Sequence, residues 1–380
     1  MTFQPEQSCE AASAAGASDE LKQKYRRIQQ LMKERSLDAL LISRHENIAW
    51  ASAGLVDVRV GLARETGAGS LLFTRDGPSF YLTGSNEARR LAAEEFDGLE
   101  FQPIIQPWWA NDVSLSIRQV IGSGKVAGDV ALTGVELISL QSLRLSLVDR
   151  EIDRYRWLGR HAADAVSDVL QDLRPGISEV TMQSTLLARL LADGILPTVS
   201  LTATDDRIRS YRHAVPRKGV LRQFGMLGFC ARRWGLTVSM TRFVHFGEMP
   251  AELDEKFKTV AYVSARLLDA TREGALSEDL FATARLAYTE RGYPGEELMH
   301  HQGGATGYLE REWFARPGGT ERAVSQEAFA WNPNLQGAKV EDTVVLHGGN
   351  VEVLTATPRL PEVVTSLDGI QYRSASVLQR

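Results

Sequence analysis

Cysteine is scarce in this chain. Cys9 and Cys230 are the two in 380 residues, too few for a disulfide framework, so a reducing, cytoplasmic setting is expected. Positive charge is also in deficit, with 43 Lys and Arg against 48 Asp and Glu and a formal net charge of −5. No run of basic residues offsets that balance, which argues against nucleic acid or an anionic membrane as the main partner. Long apolar runs are missing as well: nothing approaches the ~18 residues of a membrane span. The opening MTFQPEQSCEAASAAGASDE has neither a basic n-region nor an apolar core, so no secretory signal is expected. Residues 1–19, rich in Ala, Ser, Glu and Gly, are expected to form a disordered leader.

What is present suits a two-domain globular chain: 43% hydrophobic and 24% charged residues. From Asp19, Leu21, Tyr25, Ile28, Leu31 and Met32 recur at helical spacing. DALLIS (38–43) has strand length, a helix is expected around Glu46–Ala53, and strands at Gly69–Phe73 and Ser79–Leu82 flank the turn signal Arg75-Asp76-Gly77-Pro78. Strands alternating with helices predict an α/β layer for residues 20–150. A longer helix starts at Glu151 and stops at Arg174-Pro175-Gly176. That change of rhythm sets the domain boundary near 150. Beyond it the pattern predicts a helix at Glu179–Ala192, a strand pair within Gly225–Phe246 and helices near Glu252–Thr271 and Glu278–Arg291. Strands then follow at Ala328–Trp331, Val340–His347 and Asn350–Leu354.

Three segments concentrate unusual residues: FGMLGFCARRWGLTVSMTRFVHFG (224–247), HHQGGATGYLEREW (300–313) and FAWNPNLQGAKVEDTVVL (329–346). They resemble the creatinase / aminopeptidase P / prolidase family, whose members read roughly D-x-G…G-x-x-x-D-x-T-R, G-H-G-x-G, E-P and E-D-T. The resemblance spans about residues 20–357 and implies an α+β pita-bread fold. Residues 151–380 would form an antiparallel sheet flanked by helix pairs, preceded by a smaller α/β creatinase-type domain over 20–150. On that frame the five metal-ligand positions fall on Gly228, Ser239, Gly304, Asn332 and Glu341. Only Glu341 is a carboxylate. A pair of divalent ions needs several oxygen or imidazole donors at ~2.0–2.2 Å, so no metal and no other cofactor is expected.

The resemblance also implies roles. His213, in Tyr-Arg-His-Ala-Val-Pro, falls on an H-x-P-type segment that supplies an acid/base histidine, and His300 falls where the family commonly has another. Imidazole exchanges protons near neutral pH, though each could equally be a hydrogen-bonded core histidine. Arg311 lies in G-x-x-x-G-x-x-x-R-E, the pattern of creatinase, the member that works without metal; this implies a grip on a substrate carboxylate. The alternative is a surface Arg paired with Glu310 or Glu312. Glu341 would bind a cationic group, orient a water or stabilise charge. Arg242 belongs with the substrate-binding set, mainly as a structural partner of Glu341, and Asn332 keeps hydrogen bonding without charge. Arg64, in GLARETGAGSLLF, aligns with an arginine that creatinase takes from the neighbouring subunit, which implies a homodimer with the site near the interface.

Thr241 stands where creatinase has a glutamate, which puts creatine itself in doubt. Adjacent His300 and His301 would point apart on a strand and splay on a helix, so joint chelation is not expected. Cys230 is either packing or a nucleophile, and Ser239 has no evident base. Trp108-Trp109 would cap the pocket or pack between subunits. The implied activity is metal-independent hydrolysis of an amide, ureido or guanidino C–N bond in a small carboxylate-bearing substrate. The alternatives are a non-catalytic domain binding a peptide or small amino-acid derivative, and a lyase or cyclase.

Overall fold

The computed structural model describes residues 14–380. The chain divides into two compact units between Arg144 and Leu145, a few residues before the position expected near 150.

In the first unit a helix, Ala14–Glu34, precedes β1 (Ala39–Arg44), whose ALLIS is wholly buried. Six strands form one sheet: β1, β2 (Thr66–Thr74), β3 (Ser79–Gly84), β4 (Phe101–Gln106), β5 (Val126–Gly128) and β6 (Glu136–Leu137), in the order β4-β3-β2-β1-β5-β6. β1, β2 and β3 pair antiparallel, while β4 and β5 join parallel to β3 and β1. The expected leader needs correction. Residues 1–13 lie outside the described residues, but 14–19 are already helical. The Ala-rich composition that suggested disorder is also strong helix propensity. Ala17 is fully buried, and Glu20 and Lys24 form a buried i,i+4 ion pair at 2.7 Å.

The second unit begins with the helix Asp149–Asp172, which buries Ile152, Tyr155, Leu158, Ala162, Val166 and Leu170 along one stripe. Its first turn is closed by Glu151, whose Oε2 accepts from Val148 N at 2.7 Å. The helix Glu179–Ala192 starts on Ser178, which accepts from Thr181 N at 3.1 Å. Next come β7 (Leu196–Thr204), β8 (Phe224–Arg233) and β9 (Leu236–His245), then a second helix pair, Ala251–Ala270 and Ser277–Glu290. The remaining strands are β10 (Gly303–Thr306), β11 (Trp313–Phe314), β12 (Ala328–Trp331), β13 (Asn334–Leu335), β14 (Ala338–Lys339), β15 (Asp342–His347), β16 (Asn350–Val353), β17 (Glu362–Leu367), β18 (Ile370–Ala375) and β19 (Val377–Gln379). Two larger sheets result, ordered β19-β9-β8-β7 and β11-β10-β12-β15-β16. They are tied at one isolated antiparallel bridge, Thr241 to Glu341. The second helix pair packs Phe257, Val260, Leu280 and Tyr288 against Trp313, Phe329 and Trp331.

Glu327 staples the turn before β12. Its two oxygens accept from Trp313 Nε1 at 2.9 Å and Val324 N at 2.7 Å. Burial outweighs both donors and pushes its pKa up to about 8. A raised carboxylate stabilises the fold below its unfolded value near ~4.5, and that contribution is lost as pH rises through about 8. The urea midpoint should therefore fall between about pH 5 and 8, by up to a few kcal/mol in unfolding free energy. Glu327→Gln should flatten that slope; an identical slope in the variant would dismiss Glu327 as its source.

Candidate active site

Antiparallel register puts Gly228 opposite Thr241 and Cys230 opposite Ser239, so these four share one face of the β8–β9 ribbon. Glu341 is laid against that face. Its Oε2 accepts from Thr241 Oγ1 at 2.5 Å and lies 2.9 Å from Lys339 Nζ, while Oε1 is 3.6 Å from Arg311 Nη2. All three charged side chains are 7–9% exposed. Burial alone would raise the Glu341 pKa, but Lys339 and Arg311 hold it down to about 2. The carboxylate is therefore ionised at neutral pH. Two cations, Lys339 and Arg311, flank the one Glu341 carboxylate. Arg311 further donates to Glu310 O at 2.5 Å and Ser239 Oγ at 3.3 Å, and its buried Nε has no hydrogen-bond partner among the described residues.

A cluster of imidazoles stands beside these charges. His213 Nε2 and His300 Nε2 are 2.8 Å apart, and His300 Nδ1 is 2.6 Å from the carbonyl of His301. A carbonyl only accepts, so His300 carries its proton on Nδ1. When His300 is neutral, its bare Nε2 accepts from Nε2–H of His213, which leaves His213 Nδ1 as the free base. Burial, with help from Lys339, lowers both pKa values, that of His300 to about 4. Both rings are thus neutral at pH 7.

The loop carrying His213 is pinned on both sides. Buried Glu179 accepts from Arg207 Nε at 2.9 Å and Arg217 N at 2.8 Å. Arg212 binds Glu296 at 2.6 Å and the Asn334 side chain. His300 is held in turn by Gln302, whose Nε2 donates to its carbonyl at 2.5 Å.

Of the residues singled out from sequence, the structure brings His213, His300, Arg311 and Glu341 together. Asn332 is buried 1% exposed; its N donates to Gln302 O at 2.9 Å, and its Oδ1 is unpartnered among the described residues. Arg64 belongs to the first unit, exposed on the turn after Gly61. Arg242 requires a correction. It is 1% exposed and pairs with the Asp342 carboxylate at 2.5 Å, reaching Glu341 only at its backbone carbonyl. Thr357, Thr355 and Thr241 take its other donors. No donor is left over for a substrate, so Arg242 is a structural clamp between β9 and β15. The reading of Cys230 resolves to packing: its Sγ lies 3.2 Å from Ser239 Oγ, and burial pushes the thiol up to about 12. Trp108 and Trp109 are both exposed in the first unit.

Two cluster members escaped the sequence reading. Lys339 sits two residues before Glu341, and alternation in A-K-V-E was a usable signal that both share a face. His301 was set aside on the ground that adjacent histidines diverge. Residues 300–302 are neither strand nor helix, and His301 instead stacks on His300 with ring centroids 4.2 Å apart.

Residues 24–137 match the creatinase/prolidase N-terminal domain, and residues 153–348 match metallopeptidase family M24. The second match covers more than half of the chain. The protein belongs to metallopeptidase family M24. Its M24 relatives include an uncharacterized peptidase of Staphylococcus aureus (strain USA300), 23% identical over 60% of this chain and 66% of that protein. The chain thus spans just under two thirds of that relative. An Xaa-Pro dipeptidase of Pyrococcus horikoshii is 22% identical over 90% of this chain and 99% of its own length. The crystal structure of dipeptidase PepE from Mycobacterium ulcerans superposes with a TM-score of 0.74 at 15% identity, covering 96% of this chain and 99% of that one. The two-domain pita-bread architecture is therefore that of the family.

An M24 chain implies a divalent-ion centre, and the residues here do not fit one. Gly228 and Gly304 offer no side chain, and a Cβ added at Gly304 would lie 2.1 Å from the Trp313 carbonyl oxygen. A histidine could not be restored there without moving backbone. Ser239 is engaged with Cys230 and Arg311, and Asn332 carries no charge. Glu341, the remaining carboxylate, already holds the Lys339 ammonium. The cationic side chains of Lys339 and Arg311 lie beside Glu341, where metal cations would otherwise be held.

Proposed function

We propose that this M24 member hydrolyses a C–N bond in a small carboxylate-bearing substrate without a metal ion. The observation carrying this reading is the pair of neutral imidazoles in Nε2-to-Nε2 contact beside the buried Lys339, Arg311 and Glu341 side chains. Arg311, whose Nε has no hydrogen-bond partner among the described residues, supplies a charged donor for the substrate carboxylate. His213 Nδ1 takes a proton from water as its oxygen bonds to the carbon of the C–N group. The same proton passes to the nitrogen as the C–N bond breaks. His300 steadies the imidazolium formed at His213 through their shared hydrogen bond. Lys339 offers positive charge to the oxygen or nitrogen that becomes negative in the transition state, with Glu341 holding that ammonium in place. Arg64 enters this reading only as a contribution from a second subunit in a homodimer.

Purified protein should turn over some member of a panel of guanidino, ureido, lactam and Xaa-Pro substrates, and should lose that turnover when the substrate carboxylate is replaced by a primary amide. Equal rates on acid and amide would refute the anion-binding role. Because His213 must be neutral to accept a proton and burial lowers its pKa, kcat/KM should be flat at neutral pH. It should fall only on the acid side of the usual histidine range of ~6.5. A profile that falls on going from pH 6 to pH 8 would contradict a neutral base.

A further inference from the structure

His301 has no part in the chemistry proposed above, yet it completes a cluster. One nitrogen from each of His213, His300 and His301 lies within 4.8 Å of the other two. Zn–N bonds of ~2.0–2.1 Å place tetrahedral ligands about 3.4 Å apart, so small ring rotations bring these nitrogens to coordination distance. His213 is exposed on its loop, which gives it room to turn.

Two further features point to a ligand. The bond from His300 Nδ1 to the His301 carbonyl fixes the tautomer that aims a lone pair from Nε2 into the cluster. A ligating histidine characteristically donates its other N–H to such a carbonyl. Nδ1 of His301 is buried with no hydrogen-bond partner among the described residues, while the ring is held by stacking on His300 and an edge contact to Phe314 at 4.9 Å. A buried imidazole nitrogen left without a partner is costly in protein alone.

We infer that His213, His300 and His301 form a three-imidazole binding site for a first-row transition ion of the Zn2+ class. This site is separate from the five positions where the family's ion ligands fall. Neutral imidazoles favour Zn2+, Cu2+ or Ni2+ over Mg2+ or Ca2+, which require oxygen donors. Three protein ligands leave a fourth position for water. Lys339 and Arg311 weaken the binding of any cation here, and Glu341 partly offsets them. The bound ion uses the lone pair of His300 and takes His213 out of proton transfer, so Zn2+ is an inhibitor. That consequence alone rests on the hydrolase reading.

Calorimetric titration of ZnCl2 into the metal-stripped full chain tests the site directly. One ion per chain should bind, with affinity reduced at least about tenfold in His301→Gln and in His300→Gln, and with no heat from MgCl2 or CaCl2. Co2+ added to the unmutated chain should give the intense visible absorption of tetrahedral nitrogen ligation, a readout independent of whether a variant folds. His301→Gln should keep its basal turnover while losing Zn2+ inhibition. Absence of stoichiometric Zn2+ binding, or equal affinity in His301→Gln, would overturn the assignment. Absence of turnover on every substrate would remove the hydrolase reading but leave the calorimetric result standing.

Discussion

His213→Ala should lower kcat by roughly 10²–10⁴-fold, the range of general acid–base catalysis, with no shift in thermal midpoint. Both halves follow from placement. His213 is exposed and outside the apolar core, and its loop is held by Glu179 and Arg212, which the substitution leaves untouched. Among the described residues its ring has one contact of hydrogen-bond length, with His300. Because the two rings act as one unit, His213→Ala/His300→Ala should be no slower than the worse single variant. Additive losses would mean that the rings work separately. Unchanged kcat in His213→Ala would end the proposed mechanism.

The second large effect is expected at Lys339. Lys339→Met keeps the length of the side chain but removes the charge 2.9 Å from Glu341, leaving a buried carboxylate with Arg311 at 3.6 Å as its remaining cation. Breaking a buried pair from one side costs on the order of 3–5 kcal/mol, and about 3 kcal/mol is expected here because Arg311 persists. The sign with pH is fixed. Glu341 is depressed to about 2, so its contribution is present above the unfolded value near ~4.5 and is lost as pH falls through about 2. The deficit of Lys339→Met should therefore be full at pH 7 and shrink in acid. Adding Glu341→Gln should recover much of the stability, since the unpaired charge is then gone. A loss below about 1 kcal/mol in urea unfolding at pH 7 would show that Lys339 does not balance Glu341.

How much of this was legible beforehand depended on whether a feature was local. The helix Glu179–Ala192 and the strand Ala328–Trp331 sit where periodicity and turn residues place them, and the strand expected at Ser79–Leu82 runs on to Gly84. The meeting of His213 with His300 was legible only through family resemblance, since 87 residues separate them. Arg242 shows what a local pattern cannot supply. Whether it faces Glu341 or Asp342 depends on the β9–β15 register, fixed by the bridge from Thr241 to Glu341 and invisible along one strand. Lys339 was legible through alternation but was passed over in favour of the more familiar Glu-Asp-Thr. His301 was lost to a rule that holds for regular backbone and fails in an irregular turn. The strands β7, β17, β18 and β19 lacked clear bounding signals; β17 and β18 are half solvent-facing, so burial never stamped a strong apolar pattern on them.

The claim that the chain's own cations and imidazoles replace the ions of its M24 relatives meets its most direct test in turnover after metal removal. Protein dialysed against a chelator, with elemental analysis of the same sample, should hold far less than one ion per chain and retain its full kcat. Activity that vanishes with the metal and returns on adding Mn2+, Co2+ or Zn2+ would contradict the account.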